Sequence, residues 1–512
     1  MIFKSLLKRE KCPTYCPTEK KLRLIGNLPT MSQALSRSDI KESLLINKQR
    51  YQNGIVHIGL GNFHRAHFAV YTAKAMERSG GDWGICAFTF RNQELVEKLK
   101  KQENLYSVIE LGPDTEAVYV PNSHTEFVAG YEFTQYISEK IADKSTKIVS
   151  LTITEAGYFI DPSTGDVNWS HPDVMNDLED NQSRTIYGLI TCGLELRNSE
   201  PLTILSCDNI SHNGDLTKKL LRQFVEKKNP KLLKFFDQGL SFPNSMVDRI
   251  VPGTEIKHIR IAETRIGLID LAPVPCEKFS MWALEDKFIA GRPDWPDVIF
   301  TDEVDSYEEM KLLLLNGSHS LLAYLGGLLN CQTIPDCRFN EKVELVLRKA
   351  LEFEILPSVR FPKNLSANDY LAQLFNRWSN TVLGDRTSRV GSDGSTKLPQ
   401  RITKPALALL NQGKEPRLLA LMVAAWLACL APFFGEKSNE VCENMKDPIK
   451  DQLNGLDKSS TLNFVNQFFN MANIFPESLA SDNIFRNLVI NYRQEIFSQG
   501  IEKTLDSALL ST

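Results

Sequence analysis

The chain has 512 residues, of which 42% are hydrophobic and 24% are charged, as in ordinary globular proteins, and this length suggests two or three domains. The formal net charge of −4 gives no basic field, so we expect neither nucleic acid nor an anionic membrane as a partner. Ten cysteines without a CxxC pair favour reduced thiols over a zinc finger, and the eight histidines show no evident metal-ligand cluster.

Residues 1–50 match no globular pattern. Their first thirty residues are basic but contain three prolines, and no secretory signal is visible. We predict a poorly ordered extension, with an organelle-targeting segment or a true start at Met31 as alternatives. The longest apolar run, residues 418–434, is shorter than the roughly 18 residues of a membrane span and predicts a buried helix. We therefore expect a cytoplasmic protein.

From residue 53 onward, short apolar runs alternate with helical patterns. Strands are predicted over residues 55–58, 84–90, 147–154 and 202–207, and helices over residues 63–78 and 94–102. This alternation predicts an α/β domain with a parallel sheet covered on both faces.

The tripeptide Gly59-Leu60-Gly61 stands between the first predicted strand and the first predicted helix. Glycines there allow a tight turn and let backbone N–H groups approach a pyrophosphate. His64 occupies the place of the third glycine of the usual dinucleotide fingerprint, so the motif taken alone favours an ordinary strand–helix turn.

An NAD site also needs a carboxylate on the adenosine ribose, about 20 or more residues after the glycines. Glu94 follows the second predicted strand and is our candidate, with a solvated glutamate in the first turn of a helix as an equal alternative. Arg91 is suited to the extra phosphate of NADP. We predict NAD, with NADP less favoured.

After residue 300 the pattern becomes leucine-spaced, which predicts an all-helical second half. Pro293 and Pro296 interrupt the pattern within residues 291–301, so we predict a linker there. The predicted helices cover residues 310–329, 341–354, 370–378, 405–411, 418–430 and 462–471.

The first helix of this half carries three polar residues beside a leucine run. Ser306 and Glu309 have the spacing of a capping box, which predicts that the helix begins at Tyr307. At 3.6 residues per turn, Lys311, Asn316 and His319 then fit one side of the helix. Because buried polar groups need partners, they predict a lined cavity, and Gly317 would allow another backbone or a ligand to come close.

This trio suits the metal-independent oxidation of an alcohol. A lysine amine can accept the hydroxyl proton if burial and a positive nicotinamide ring lower its pKa. Asn316 can donate to the developing alkoxide and His319 can orient the same oxygen. The alternative is an exposed lysine, a helix-breaking Asn-Gly and a core histidine, and spacing alone favours that interpretation.

Two motifs carry a resemblance to a known family. Residues 59–67, GLGNFHRAH, resemble the GxGxFHRAH signature of the mannitol dehydrogenase family of polyol-specific long-chain dehydrogenases. Lys311, Asn316 and His319 resemble the K-x4-N-x2-H catalytic motif of the same family. Further blocks occur in the order typical of the family, at residues 150–158, 206–209, 212–214, 246–249, 285–288 and 291–293. The resemblance covers residue 53 to the C-terminus.

The resemblance implies an α/β Rossmann-type NAD-binding domain over residues 51–298 and a mostly α-helical substrate and catalytic domain over residues 299–512. It implies an active site in the cleft between these domains, without a metal. The implied cofactor-binding residues are Gly59, Leu60, Gly61, Asn62, Phe63, Arg65 and Glu94.

The resemblance also implies the catalytic roles. Lys311 would be the general acid/base, and Asn209 and Asn316 would donate to the developing oxyanion. His319 would bind and orient the reacting oxygen, and Glu308 would lie near a proton path to solvent.

Three further residues would bind the substrate. Asp248 would hold hydroxyl groups, while Arg389 and Lys397 would bind either hydroxyls or the carboxylate of a uronate. The leading prediction is NAD-dependent interconversion of a polyol and a ketose, of the mannitol and fructose type. The alternatives are a fructuronate or tagaturonate reductase, a sugar-phosphate dehydrogenase, and a non-catalytic NAD-binding relative. The oligomeric state stays open.

Overall fold

The computed structural model describes residues 33–49, 51–113, 116–179, 182–471 and 474–511. Within them the chain forms two compact units, the first ending at Asp305 and the second beginning at Ser306. Of the extension predicted over residues 1–50, residues 1–32 lie outside the described part. Residues 33–49 belong to the first unit, where Leu35 is fully buried and bridges join Ala34 to Ile269 and Leu45 to Val120.

The first unit contains twelve strands among its described residues. They are β1 (Asn53–Ile58), β2 (Gly84–Thr89), β3 (Val108–Leu111), β4 (Glu116–Tyr119), β5 (His124–Ala129), β6 (Ile148–Leu151), β7 (Leu202–Ser206), β8 (Leu240–Ser241), β9 (Ser245–Asp248), β10 (Val274–Glu277), β11 (Met281–Leu284) and β12 (Ile299–Phe300).

Helices connect these strands. They are α1 (Asn62–Ala66), α2 (Phe68–Ser79), α3 (Gln93–Lys100), α4 (Thr134–Ala142), α5 (Pro172–Glu179), α6 (Ile186–Leu196), α7 (Asn213–Lys228), α8 (Leu233–Gly239) and α9 (Ile256–Ile266), with short 3-10 helices at Glu42–Leu44, Tyr131–Phe133, Glu155–Tyr158 and Pro230–Leu232.

Six strands form one parallel sheet in the order β5-β2-β1-β6-β7-β8. This is the strand order of a Rossmann fold, because the chain builds outward from β1 on one side and then returns to build on the other. Strand β1 is buried along nearly its whole length, as expected for a central parallel strand covered on both faces. The parallel sheet and its predicted strands are confirmed.

The reversal of strand order lies between β1 and β6. In open α/β sheets, ligands bind in the crevice outside the carboxyl ends of the strands at such a switch point. Three of the segments that leave this edge are the glycine turn after β1, residues 152–154 after β6 and residues 207–210 after β7. The fold therefore gathers these three segments at one edge of the sheet.

Two small three-stranded sheets complete the first unit, in the orders β10-β3-β4 and β12-β11-β9. The sequence did not predict them, because their strands have two to four residues and pair with distant segments. Strand β12 pairs with β11 inside the first unit, so the prediction of a linker over residues 291–301 is wrong at its C-terminal end.

The glycine turn lies against a group of buried histidines. The ring of His64 stacks on that of His57 with centroids 3.4 Å apart, and its Nε2 lies 2.9 Å from Nε2 of His124. Burial lowers the pKa of His57 to about 3 and also lowers the pKa values of His64 and His124. The helix predicted over residues 63–78 breaks at His67 into α1 and α2.

The second unit is built from helices, as predicted. They are α10 (Val304–Met310), α11 (Gly317–Leu328), α12 (Ile334–Phe339), α13 (Glu341–Lys349), α14 (Ala367–Trp378), α15 (Thr387–Gly391), α16 (Gly394–Leu410), α17 (Arg417–Leu430), α18 (Glu440–Glu443), α19 (Lys450–Asn454), α20 (Thr461–Phe469), α21 (Glu477–Ala480), α22 (Asn483–Gln499) and α23 (Ile501–Ser511), with π-helices at Lys311–Asn316 and Ala350–Ile355 and a 3-10 helix at Leu356–Ser358.

Helix α17 lies in the core of this unit. Every residue from 418 to 430 is buried, which confirms the predicted buried helix over these residues of the longest apolar run. The helix ends at Leu430, and Phe434 at the end of the run is fully exposed. Among the residues that the structure describes, no helix is both long enough and apolar enough to cross a membrane.

The buried histidines predict a loss of stability in weak acid. Because folding lowers their pKa values, their contribution is complete above about pH 6.5 and is lost as the pH falls from about 6.5 toward 3. Each histidine lowers the free energy of unfolding by up to about 1.4 kcal/mol per pH unit. Urea denaturation at several pH values between about 7 and 5.5 measures this slope.

We expect His64→Gln to reduce the slope, whatever it does to stability at neutral pH. A wild-type slope near zero over this pH range would contradict the assignment of neutral, buried histidines.

Candidate active site

The glycine turn contains one glycine that the fold requires and one that it does not. Gly59 has a φ of +103°, and a Cβ there would lie 2.2 Å from the carbonyl oxygen of Thr152. Gly61 has a φ of −134°, and the nearest atom to a Cβ there is the Gly59 carbonyl oxygen at 3.8 Å. The space beside Gly61 is therefore open, as needed where a pyrophosphate approaches the backbone.

The predicted cofactor-binding residues next to these glycines hold α1 against the rest of the first unit. The guanidinium of Arg65 is buried and donates 2.6 Å hydrogen bonds to the carbonyl oxygen of Ala272 and to Oδ1 of Asn62. Asn62 in turn donates to the carbonyl oxygen of Pro252. Leu60 is buried and the ring of Phe63 stacks on that of His67. These contacts brace the turn, and direct contact with a cofactor stays a prediction.

Glu94 lies in the first turn of α3, directly after β2. Its side chain is 78% exposed and accepts a 2.6 Å hydrogen bond from Lys98, which lowers the pKa of Glu94. Arg91, the residue suited to the extra phosphate of NADP, donates to the hydroxyl of Tyr131. The carboxylate is thus ionised at the edge of the sheet, and its role as the ribose ligand stays a prediction.

Asn209 is exposed in the segment after β7, next to Asp208, a buried aspartate for which the sequence predicted no role. The carboxylate of Asp208 accepts hydrogen bonds from the backbone N–H of Thr154 at 2.8 Å and from the hydroxyl of Tyr158 at 2.9 Å. Burial raises the pKa of Asp208. Asp208 therefore holds the segments after β6 and β7 together.

Asn213 connects the same segment to β9, the strand that ends at Asp248. Its side-chain amide donates to the carbonyl oxygens of Asp208 and Ser245, and its Oδ1 accepts from the N–H of Ser245. Asp248 is buried on β9 opposite Met281 of β11. The first unit thus brings the Asn209 segment and the Asp248 strand together on a rigid frame.

Arg249, directly after Asp248, is a further residue without an assigned role in the sequence analysis. Its buried guanidinium donates to the carbonyl oxygens of Ala66 and Glu277 and pairs with Glu110 at 2.6 Å. The residue stands in one of the blocks that carried the family resemblance, and so do Asp208 and Asn213. Membership of such a block was the only signal in the sequence that marked these three.

In the second unit, the polar trio lies on an irregular helix. Helix α10 begins at Val304, so the prediction of a start at Tyr307 is wrong, and Ser306 is buried within the helix. The backbone then forms a π-helix over Lys311–Asn316, and the N–H of Gly317 donates to the carbonyl oxygen of Leu312, five residues back.

The π-helix changes how the trio is arranged. An α-helix would turn Asn316 about 140° away from Lys311. In a π-helix the hydrogen bonds join residues five apart, so residues i and i+5 become neighbours on one side. Lys311, Asn316 and His319 are all partly exposed, while Leu313, Leu314 and Leu315 are buried. The helix therefore has one polar side and one core side.

Arg401 of α16 braces this helix from outside. Its Nη1 donates to the carbonyl oxygen of Asn316 at 3.0 Å and to Oγ of Ser320 at 2.7 Å. The ring of His319 lies 6.1 Å from that of Trp378 on α14. Nothing in the sequence pattern pointed to Arg401 or Trp378, because each contact joins positions far apart in the chain.

Gly317 has room beside it within this unit. A Cβ there would lie 3.8 Å from the carbonyl oxygens of Arg401 and Leu312, which is ordinary contact. Neither backbone segment comes close enough to require a glycine. The close approach of a ligand stays a prediction.

Glu308, the residue predicted to lie near a proton path, is partly exposed on α10.

The two cations predicted to bind substrate are Arg389 on α15 and Lys397 on α16. Arg389 is 59% exposed and donates to the carboxylate of Asp385 at 2.8 Å. Lys397 donates to the carbonyl oxygen of Ser392 at 2.6 Å. Burial lowers the pKa of Lys397, and Arg401 and Arg389 lower it further. Asp393 lies 3.7 Å from Lys397 and, like Asp385 beside Arg389, offsets part of this positive charge. We refer to Arg389, Lys397 and Arg401 as the cationic cluster of the second unit.

No group of three His, Cys, Asp or Glu side chains in the described residues is placed to hold a metal ion. The first unit thus presents an open glycine turn with polar strand ends, and the second presents a lysine, an amide and an imidazole beside a cationic cluster. Each is a set of groups suited to binding an oxygen-rich ligand.

Comparisons with known proteins cover both units. The family model described as the mannitol dehydrogenase Rossmann domain matches residues 53–297, and the model of the mannitol dehydrogenase C-terminal domain matches residues 303–496. The chain is 35% identical over 474 residues to the uncharacterized oxidoreductase YeiQ of Escherichia coli, covering 90% of this chain and 96% of the relative. It is 34% identical over 468 residues to the D-mannonate oxidoreductase of Escherichia coli, covering 88% and 94%.

Among solved structures, the chain is similar to the Pseudomonas fluorescens mannitol 2-dehydrogenase in its ternary complex with NAD and D-mannitol. The TM-score is 0.83 at 32% sequence identity, over 94% of this chain and 100% of that one.

The two glycines of the turn generate a paired prediction. Gly59→Ala should destabilise the fold by several kcal/mol, because its Cβ would clash with the backbone at a φ near +100°. Gly61→Ala should leave the free energy of unfolding within about 0.5 kcal/mol of wild type and weaken NADH binding about tenfold or more, because its Cβ would enter space that is open in the fold and is predicted to receive a pyrophosphate. Urea denaturation and NADH fluorescence titration measure the two effects. An unchanged Kd for NADH in Gly61→Ala would contradict the assignment.

Proposed function

Because this chain belongs to the mannitol dehydrogenase family of oxidoreductases, as its motifs predicted, we propose that it interconverts a polyol and a ketose with NAD as the hydride carrier. The observation that carries the proposal is the polar side of the irregular helix, where Lys311, Asn316 and His319 emerge from a leucine core. The complex of a 32% identical mannitol 2-dehydrogenase with NAD and D-mannitol supports both the cofactor and the substrate class.

The residues of the first unit fit a dinucleotide. The open side of Gly61 leaves room for a pyrophosphate, and the ionised, exposed carboxylate of Glu94 suits two ribose hydroxyls. Arg65 and Asn62 hold the turn in shape. When bound there, NAD supplies the acceptor for the hydride of the alcohol carbon.

Lys311 is assigned the proton transfer. Oxidation of a secondary alcohol requires that the hydroxyl proton leave while the carbon gives up hydride, and a neutral amine can accept that proton. In the reverse direction the ammonium returns the proton to the new alkoxide. Glu308, three residues earlier on the same helix, is assigned the exchange of this proton with solvent.

The reacting oxygen needs donors as its charge develops. The π-helix makes Asn316 a neighbour of Lys311, and we assign the Asn316 amide as one such donor. His319 is assigned to orient the same oxygen. The family resemblance gives Asn209 of the first unit a donor role as well. Asp248, held rigid at the end of β9, is assigned to the substrate hydroxyls.

The cationic cluster favours a second candidate substrate class. Arg401 and Arg389 both lower the pKa of Lys397 in the second unit, and such a cluster suits the carboxylate of a ketouronate and its aldonate product. The 34% identity to a D-mannonate oxidoreductase supports the same class. The activity would then be the NAD-dependent reduction of a ketouronate such as fructuronate.

The role of Lys311 predicts a large and specific loss of rate. Lys311→Ala should lower kcat/KM by about 10² to 10⁴ on the best substrate, because general acid–base catalysis contributes that much. The Kd for NADH should change less than about twofold. Steady-state kinetics and fluorescence titration measure the two quantities.

Lys342→Ala is the matched control, since Lys342 is an exposed lysine of the same unit that pairs with Asp506. We expect it to keep wild-type kinetics. If Lys311→Ala retained most of the activity, the assignment of the proton acceptor would fail.

The substrate classes are separated by a panel of two ketoses and two cofactors. Fructose and fructuronate are each tested with NADH and with NADPH, by absorbance at the nicotinamide band. A polyol dehydrogenase should prefer fructose with NADH. Preference for fructuronate, with a KM that rises about tenfold or more in Lys397→Gln, would establish the second candidate instead. Preference for NADPH would contradict the role given to Glu94.

A further inference from the structure

Two pairs of cysteines lie against the C-terminal end of α11. A Cβ on Gly326 would lie 2.0 Å from Sγ of Cys337 and 3.5 Å from Cβ of Cys331, so these two side chains meet over that glycine. A Cβ on the next residue, Gly327, would lie 3.5 Å from Sγ of Cys429 and 3.7 Å from Sγ of Cys442. All four are free thiols.

The first pair combines an accessible thiol with a buried one. Cys331 is partly exposed, whereas Cys337 is fully buried on α12. A hydrogen bond between the two thiols lowers the pKa of Cys331, while the same bond and burial raise the pKa of Cys337. An accessible, readily ionised thiol beside a second thiol is the arrangement of a redox-sensitive pair.

We propose that Cys331 and Cys337 are a redox-active pair, which a small-molecule disulfide of the glutathione type converts into an intramolecular disulfide that controls the segment carrying Arg389. The disulfide chemistry stands on the thiol pair itself. Its effect on substrate binding rests on the proposed function, in which Arg389 contributes to the substrate site.

The reaction balances without a metal or an additional oxidant. The thiolate of Cys331 attacks one sulfur of the small disulfide, forming a mixed disulfide and releasing one small thiol. Cys337 then loses its proton and attacks the sulfur of Cys331, which breaks the mixed disulfide and releases the second small thiol. The two cysteines are oxidised by two electrons, and the small disulfide is reduced by two.

The pair is connected to the Arg389 segment by a set of hydrogen bonds. The thiol of Cys337 lies 3.4 Å from Oγ1 of Thr387, the first residue of α15. The N–H of Ile334 donates to the carbonyl oxygen of Asp385, and the N–H of Thr387 donates to that of Gln332. Asp385 in turn holds the guanidinium of Arg389.

Disulfide formation disturbs these contacts. Bonding to Cys331 removes the thiol hydrogen of Cys337, whose sulfur lies 3.2 Å from the carbonyl oxygen of Thr333, so this thiol can no longer donate a hydrogen bond. Residues 332–334 lie inside the loop that the disulfide would close, and they carry the backbone hydrogen bonds to Asp385 and Thr387. Oxidation is therefore expected to shift the segment that positions Arg389.

The second pair provides an internal comparison. Cys429 and Cys442 are also hydrogen-bonded to each other, but both are buried, and Cys429 also lies 3.5 Å from the carbonyl oxygen of Tyr324. A dissolved disulfide cannot reach them in the folded protein. Oxidation should therefore select the first pair.

The first test is chemical and does not depend on activity. The full-length protein is incubated with oxidised glutathione, free thiols are blocked, and the peptides are mapped by mass spectrometry without reduction. We expect residues 331 and 337 in one cross-linked species that lacks two hydrogen atoms, with Cys429 and Cys442 still reduced. Glutathione retained on Cys331, a link between two copies of the chain, or no reaction at Cys331 would each overturn the proposal.

The second test is kinetic and compares oxidised with reduced protein. Oxidation should raise the KM for the preferred ketose about tenfold with little change in kcat, and dithiothreitol should reverse the effect. Cys331→Ser should keep the KM of the reduced enzyme and lose the response to oxidant, whereas Cys442→Ala should keep the response. An equal response in Cys331→Ser, or an unchanged KM after complete cross-linking, would overturn the regulatory part.

The two proposals fail separately. If the reduced protein turns over none of the tested ketoses while the cross-link forms, the proposed function fails and the redox pair stands. If turnover is normal and no cross-link forms, the redox pair fails and the proposed function stands.

Discussion

The arrangement of the proposed catalytic side chains depends on one backbone irregularity, the π-helix over Lys311–Asn316. Residues five apart become neighbours there, so a lysine and an asparagine with that spacing face the same way. A π-helix is rarer than an α-helix and needs support from its surroundings. Arg401 provides it by donating to the carbonyl oxygen of Asn316, while the three leucines between the polar residues lie in the core. Packing and one cation therefore hold the polar side in place.

In the first unit, close packing and buried hydrogen bonds hold the glycine turn and the strand ends in place. Gly59 lies so close to Thr152 that no side chain fits, and this close approach brings the turn to the switch point of the sheet. Buried polar groups then hold the strand ends rigid: Asp208 joins the segments after β6 and β7, and Asn213 joins the latter to β9. Rigid support of this kind is what a site needs to orient a ligand, because loose side chains lose the geometry on which catalysis depends.

Several residues predicted to contact a ligand also have structural partners. Arg65 is buried and braces the glycine turn, while Arg389 is held by Asp385 and Glu94 by Lys98. For the two exposed residues this leaves the charged group preoriented at the surface. The Cys337 thiol lies 3.4 Å from Oγ1 of Thr387, and the backbone N–H of Ile334 donates to the carbonyl oxygen of Asp385. The proposed oxidation of Cys331 and Cys337 would therefore act on the segment that orients Arg389.

The sequence by itself determined the fold class, the four main predicted strands and the helical second half, because these follow from local periodicity. The lysine motif was marked by the family resemblance, since its spacing alone favoured an ordinary helix. The sequence did not determine the small sheets, the early start of α10 at Val304 or the break at His67, since short strands and helix ends depend on distant partners. Only the tertiary structure decided that Gly59 is required by packing while Gly61 is not, and that Arg401 braces Asn316. Each of these depends on the close approach of atoms far apart in the chain, which no local pattern encodes.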